Sequence, residues 1–273
     1  FTFRQADIRD SSTCTESCRG VDIVLHQAAL GSVSRSVLNP IETHQVNADG
    51  FLNMLIAAKD ATVKRFVYAS SSSVYGDVQA LPKVEEQIGK PLSPYAASKL
   101  INEIYAAVFA SLYGFSSIGL RYFNVFGPRQ NPQGDYAAVI PRWIKKLLNN
   151  EQCEIYGDGK TSRDFCHIDN VVKANLLAAF SDAEVTGASC LLNIGSSKQT
   201  QLNQLYGMIR REVSILTGSE IKLEPLYKDF RSGDVRDSLA SIDKARQLLD
   251  FDVETGVEEG IRQTALWFYR EQS

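Results

Sequence analysis

Tyr95 and Lys99 lie four residues apart in the stretch Ser93-Pro-Tyr-Ala-Ala-Ser-Lys-Leu-Ile-Asn-Glu103. On a helix that spacing stands the phenol and the ammonium one above the other on a single face. An ammonium held there favours the phenolate, drawing a pKa that starts near ~10 toward neutrality. A pair of this kind suits removal of a proton from a substrate hydroxyl. Upstream, Ser70-Ser71-Ser72-Ser73 follows an apolar run and offers hydroxyls to the same oxygen. Tyr and Lys at this spacing also arise on ordinary amphipathic helices, and serine runs also make polar turns, so neither feature decides alone.

What must position these groups is a set of strands alternating with helices. Phe1–Asp7 reads as a short strand and Thr13–Arg19 as a helix. The run Val21–Gln27 suits a strand covered on both faces, ending in the small residues Ala28, Ala29, Gly31 and Ser32. A long amphipathic helix is expected over His44–Ala61, a strand over Arg65–Ser70, a helix from Pro94 to Tyr113 and a strand over Ser116–Tyr122. Helical crossovers between such strands imply a parallel sheet, and ligands sit at the carboxyl ends of its strands. Residues 28–32, 70–73 and 122–124 all fall at those ends, which argues for one shared pocket.

Beyond Pro128 the pattern predicts a helix over Ala138–Leu148, a strand at Cys153–Tyr156, an extended Thr161–His167, and a helix capped by Asp169 that runs to Ala179. A strand at Cys190–Ile194, a helix over Gln201–Leu216, a strand at Ile221–Pro225 and helices over Ser241–Leu249 and Val257–Tyr269 follow. The expected fold is α/β. A doubly wound, Rossmann-like parallel sheet, incomplete at its amino terminus, spans 1–126 as a dinucleotide-binding domain. A smaller α/β substrate domain spans 127–273, with part of 160–195 returning to the first.

The 273 residues, 44% hydrophobic and 22% charged, describe an ordinary globular protein. A net charge of −3 gives no whole-chain reason to bind nucleic acid or an anionic membrane. The sequence shows neither an apolar run of spanning length nor a signal segment, so cytoplasmic residence is the default expectation. Five scattered cysteines and three histidines fall at no metal-ligand spacing, and free thiols with no bound metal are expected.

The serine run ahead of Val74-Tyr75-Gly76, together with Tyr95-x-x-x-Lys99, resembles the Ser, Tyr, Lys set of the short-chain dehydrogenase/reductase superfamily, in the extended form that acts on nucleotide sugars. Further matches run in family order along essentially the whole chain. They are His26-Gln27-Ala28-Ala29, Val46-Asn47-Ala48-Asp49-Gly50, Arg121-Tyr122-Phe123-Asn124-Val125-Phe126-Gly127-Pro128, Arg163-Asp164-Phe165-Cys166-His167-Ile168-Asp169-Asn170-Val171 and Arg231-Ser-Gly-Asp234. The resemblance implies Tyr95, Lys99 and Ser71 as catalytic residues and NAD as cofactor. It implies a cofactor site built from Asp7, Ile8, Gln27, Ala28, Ala29, Asn47, Ala69, Ser70, Tyr95, Lys99, Tyr122 and Val125. The implied substrate site comprises Gly31, Ser32, Ser71, Ser72, Ser73, Asn124, Ala138, Val139, Tyr156, Arg163, Arg231, Asp234 and Ser238, with the arginines on the sugar nucleotide's phosphates.

The family's glycine-rich loop, its first strand and the acid that reads the adenosine ribose do not occur in this sequence. A βαβ unit of about 30 residues or more is therefore expected ahead of it. Related 4,6-dehydratases place an Asp-Glu pair after the catalytic Ser/Thr, where Ser72 and Ser73 stand here; serine hydroxyls cannot serve as that acid/base pair near neutral pH. Decarboxylating relatives carry a Glu in this neighbourhood that is also missing here, so the resemblance leaves epimerisation at C4 as the implied reaction. Ser238 stands where glucose-restricted relatives carry a tyrosine, which implies room for an N-acetyl group and a UDP-N-acetylglucosamine/UDP-N-acetylgalactosamine substrate. UDP-glucuronate or UDP-glucose epimerisation, and a non-catalytic sugar-nucleotide-binding role, remain the alternatives. A homodimer face on the helices over His44–Ala61 and Pro94–Tyr113 is also implied.

Overall fold

A computed structural model describes residues 1–133, 138–181, 190–230 and 235–272. Its amino-terminal half runs α1 (Ser11–Cys18), β1 (Ile23–His26), α2 (Val33–Leu38), α3 (Pro40–His44), a π-helical turn (Gln45–Asp49), α4 (Gly50–Asp60), β2 (Arg65–Ser71), a 3₁₀ turn (Ser72–Tyr75), α5 (Pro94–Tyr113) and β3 (Ser117–Tyr122). Then come β4 (Val125–Phe126), α6 (Val139–Leu148), β5 (Glu154–Tyr156), β6 (Ser162–Arg163), β7 (Cys166–His167), α7 (Ile168–Phe180) and β8 (Cys190–Ile194). The chain ends with β9 (Thr200–Gln201), α8 (Leu202–Thr217), β10 (Leu226–Lys228), α9 (Asp243–Leu249) and α10 (Val257–Gln272).

The main sheet has the order β1-β2-β3-β8, and every neighbouring pair is parallel. Alternation along β2 divides its side chains between two layers. Phe66 and Tyr68 pack with Phe51 and Leu55 of α4 and Phe109 of α5, whereas Val67 packs with Ile118, Leu120 and Leu192 beneath α7 and α9. Three two-stranded sheets, β5-β10, β4-β7 and β6-β9, accompany a separate apolar cluster of Trp143, Ile144, Leu205, Ile209, Ile261 and Phe268 from α6, α8 and α10. Ala240, Ile242 and Phe251, late in the chain, join the cluster under the main sheet.

Local chemistry explains why α5 begins where it does. Ser93 caps it, its Oγ accepting from the Ala96 amide at 3.1 Å; Pro94 occupies the first turn, and Gly114 closes the helix at φ 64°. The capped start places Tyr95 at the strand-end side of the sheet and Lys99 one turn deeper.

Several expected elements differ. Phe1–Asp7 forms no strand: no described segment runs alongside it to complete a ladder, and Phe1 and Phe3 are exposed. For the same reason β1 is an edge strand with β2 as its partner, and Leu25 is 43% exposed instead of covered. The helix expected over His44–Ala61 contains the π-helical turn, a local widening that favours functional positions. His167, not Asp169, caps α7, with Nδ1 accepting from the Asp169 amide at 3.4 Å; Asp169 lies in the first turn, where its charge suits the helix dipole. The strand expected at Ile221–Pro225 begins at Leu226, since Pro225 has no N–H to give a ladder.

Candidate functional site

The carboxyl ends of β2 and β3 and the first turn of α5 converge on a cavity of about 420 Å³. Ser71, Ser72, Ser73, Tyr95, Asn124 and Ser238 all line it. Ser71 is the last residue of β2. Its Oγ accepts from the Ser73 amide at 3.2 Å, which locks the serine run into the 3₁₀ turn instead of a flexible loop. Gly76 ends that turn at φ 54°, and a Cβ there would stand 1.9 Å from the Lys90 carbonyl, so only glycine lets the two loops meet. Ser73 Oγ is buried without a partner among the described residues, an acceptor and donor held in the cavity wall.

Ser71 hydrogen-bonds the Tyr95 phenol, which moderates the upward push of burial on that group's pKa. The net direction is upward, so the polypeptide alone does not draw Tyr95 toward neutrality as the spacing suggested. Burial likewise acts on Lys99: it lowers the ammonium's pKa to about 8, with the Glu103 carboxylate opposing the shift. Lys99 Nζ donates to the Ala69 carbonyl at 2.8 Å. The helix therefore ties its lysine to the strand end next to the serine, rather than to the phenol. Burial and the nearby Lys99 charge hold His26 neutral, lowering its pKa to about 4.

Six of the predicted cofactor residues, Lys99, Ala28, Ala29, Gln27, Tyr122 and Asn47, fall into three groups. Lys99 is 3% exposed with a single described acceptor for its three donors, and Ala28 and Ala29 leave the end of β1 free of bulk; this combination fits a ribose carrying vicinal hydroxyls and a planar ring beside it. Gln27 and Tyr122 join a network with Asn175, a residue not anticipated from sequence: Gln27 Nε2 donates to Asn175 Oδ1 at 2.9 Å and Tyr122 Oη to Gln27 Oε1 at 3.1 Å. Asn47 shapes the site from behind. Its amide accepts from Leu30 N at 2.7 Å, donates to Leu30 O at 3.1 Å and reaches Ser98 Oγ at 3.1 Å, fixing the turn after β1 against α5.

Other predicted residues do not line this cavity. Asp7 pairs with Arg9 at the surface, and Ile8 packs over Gly50. Ser70 turns inward to Glu103. Gly31 and Ser32 lie outside the cavity lining; Ser32 caps α2 at φ 143°, and Val33 and Ser34 line the cavity instead.

A second cavity of about 270 Å³ adjoins the first, sharing Asn124 and Arg163. Val125, Ala138, Val139 and Tyr156 line it, with the aromatic Trp143 and Phe165. Arg163 Nη1 donates to the carbonyls of Ser162 and Arg236 at 2.9 and 3.2 Å, which plants its guanidinium at the junction. Ser238 Oγ accepts from the Asp164 amide at 3.3 Å, so the small side chain is also anchored. Arg231 and Asp234 lie outside the described residues. Lys83, buried and also in the wall of the larger cavity, was not foreseen: its side chain donates to the Val78 carbonyl, and nothing in its local sequence marks it.

The sequence profile of the NAD dependent epimerase/dehydratase family matches residues 1–195. This chain belongs to that family. A putative UDP-glucose 4-epimerase of Methanocaldococcus jannaschii is 36% identical over 267 residues, covering 97% of this chain and 83% of the relative. The solved UDP-N-acetylglucosamine 4-epimerase of Methanobrevibacter ruminantium M1, in complex with UDP-N-acetylmuramic acid, superposes with a TM-score of 0.90 at 38% identity, covering 99% of this chain and 83% of that one. The UDP-glucose 4-epimerase of Thermotoga maritima with UDP-glucose also gives 0.90, at 34% identity and 99% and 85% coverage. The α/β architecture with its parallel sheet is the one these epimerases share, and the cofactor of this family member is NAD.

Proposed function

We propose that this NAD-dependent nucleotide-sugar 4-epimerase interconverts UDP-N-acetylglucosamine and UDP-N-acetylgalactosamine, with Tyr95, Ser71 and Lys99 as its catalytic residues. The observation that carries the reading is the wall of the 420 Å³ cavity: around Tyr95 it presents Ser72, Ser73 and Ser238, all small, and no carboxylate lines it among the described residues. Small residues leave room for an acetamido group, and the lack of an adjacent acid removes the groups that elimination of water would need.

NAD, when bound, supplies a reversible acceptor for the hydride of C4. The chain's own residues manage the proton and the geometry. Tyr95 takes the 4-hydroxyl proton as that carbon is oxidised and returns it on reduction, while Ser71 hydrogen-bonds the same oxygen. Lys99, anchored to the Ala69 carbonyl, would offer its remaining donors to the nicotinamide ribose. The adjoining cavity grips the nucleotide, with Arg163 toward the diphosphate; Arg231 and Asp234 are assigned to the substrate on the sequence motif alone. The sugar, held by hydroxyls and little else, is free to present its other face.

The two lobes of the reading divide near Phe126, one for dinucleotide and one for substrate, in a cytoplasmic enzyme. A second copy of the chain covers the outer face of α5, where Ile104, Val108 and Leu112 are 54%, 40% and 70% exposed. Steady-state kinetics of Ser238→Tyr in the full-length protein test the substrate. Turnover of UDP-N-acetylglucosamine falls while that of UDP-glucose persists, and Tyr95→Phe abolishes both; equal losses for the two sugars in Ser238→Tyr would refute the assignment.

A further inference from the structure

Directly beneath the catalytic groups lies a buried ionic network that none of the chemistry above uses. Glu103 stands one helical turn beyond Lys99 on α5, and its carboxylate meets the Arg121 guanidinium in a bidentate pair, Nε to Oε1 at 2.9 Å and Nη2 to Oε2 at 2.8 Å. The pair is inside the protein, with side-chain exposures of 4% and 1%. Oε1 also accepts from Ser70 Oγ at 2.5 Å. Arg121 Nη1 continues the chain to Tyr75 Oη at 3.1 Å and the Glu85 carbonyl at 2.9 Å, and Tyr75 Oη donates to Asn193 Oδ1 at 2.6 Å. Every branch therefore ends on a partner, and α5, β2, β3, β8 and the loop after the 3₁₀ turn are tied to one carboxylate.

Its place relative to the catalytic groups sets this network apart from a generic buried pair. Ser70 immediately precedes Ser71, which hydrogen-bonds Tyr95, and immediately follows Ala69, whose carbonyl holds Lys99. Ser70 and Arg121 are opposite one another in the β2–β3 ladder. The carboxylate on the helix that bears Tyr95 and Lys99 thus grasps the strand end that bears Ser71, between the two points where helix and strand meet chemically. Desolvating two charges makes such a pair a poor source of stability compared with apolar side chains of similar volume, whereas its fork geometry admits one arrangement of helix against strand.

We infer that Glu103, seated by Arg121, is a positioning residue for epimerisation: through Ser70 it sets the register between the end of β2 and α5, and so the distance at which Ser71, Tyr95 and Lys99 act together. The inference rests on the reading of those three residues as catalytic. A displacement of about 1 Å in such a constellation costs on the order of 100-fold in rate without loosening a nucleotide held elsewhere.

The test uses the full-length protein with UDP-N-acetylglucosamine and UDP-glucose. Ser70→Ala leaves the ion pair intact but cuts its link to the strand; kcat falls by at least about 10-fold with KM within about twofold while the melting temperature drops by only a few degrees, and Ser70→Thr, which keeps the hydroxyl, restores kcat. Glu103→Met combined with Arg121→Met replaces the pair by apolar side chains of similar reach; it stays folded and loses about 100-fold in kcat. Should the double variant not fold, the Ser70 pair of variants decides. Wild-type kcat in Ser70→Ala, or in a stably folded double variant, overturns the inference. Tyr95→Phe in the same assay keeps the two readings apart: if it is inactive while Ser70→Ala is normal, the positioning role alone fails, and if it is active, the catalytic assignment beneath it fails.

Discussion

Replacing Lys99 by methionine is expected to stabilise the folded protein at neutral pH while abolishing turnover. Lys99 is 3% exposed, and burial lowers its pKa from 10.5 to about 8. A folded-state pKa below the unfolded one means that between the two values the unfolded chain binds more protons, so stability rises with pH across that window and the penalty is complete below about 8. A depression of this size corresponds to about 3 kcal/mol at pH 7. Methionine removes that penalty but strands the Ala69 carbonyl, which now accepts at 2.8 Å, at a cost of about 1 kcal/mol. The variant should therefore be about 2 kcal/mol more stable than wild type at pH 7, and the advantage should disappear by about pH 9.5, where most of the wild-type penalty is gone. Urea unfolding of cofactor-stripped protein at several pH values measures this directly. A variant less stable than wild type at pH 7, or a difference that does not change with pH, would refute the electrostatic reasoning. The proposed mechanism uses the charge that folding opposes, which would be a reason for such a lysine to persist.

His26 makes a second, oppositely placed prediction. Burial and Lys99 lower its pKa from 6.5 to about 4, so the folded state loses up to about 3 kcal/mol relative to the unfolded chain as pH falls from 6.5 to 4. His26→Leu should flatten that limb of the stability profile; an unchanged limb would place the acid sensitivity elsewhere. Tyr68 is fully buried, with its hydroxyl unpartnered among the described residues, and a Cβ at the facing Gly119 would stand 2.6 Å from that oxygen. Tyr68→Phe is expected to stabilise by about 1 kcal/mol in urea titrations, since it removes a polar atom that burial leaves unsatisfied. Gly119→Ala should destabilise by about 1–3 kcal/mol through overcrowding, in the Tyr68→Phe background as well, because the new Cβ would also stand 2.5 Å from the ring Cζ that Phe keeps and 2.8 Å from Leu191.

Much of the site was legible because it depends on local periodicity. The four-residue spacing of Tyr95 and Lys99, the Ser93-Pro94 start of α5 and the serine run after an apolar strand are written in consecutive residues, and α5 and β2 formed where those signals stood. Elements whose existence depends on a neighbour were misread: Phe1–Asp7 carries a strand's composition, but a strand exists only where another chain segment completes its ladder. The strand at Leu226–Lys228 was displaced for a related reason, since its register is set by β5 seventy or so residues away in sequence rather than by its own pattern.

Sequence by itself determined the chemical inventory: which hydroxyls, phenol and ammonium were available, and that no acid followed Ser71. Tertiary structure alone decided how that inventory is tuned. Charge and solvation depend on what surrounds a group in three dimensions, so Lys99 proved to be anchored to Ala69 and lowered by burial instead of simply activating Tyr95. Long-range packing brought Asn175 to Gln27, Lys83 to the cavity wall and Glu103 onto Arg121 and Ser70. Those contacts join residues from separate elements, and a linear pattern carries no record of such meetings.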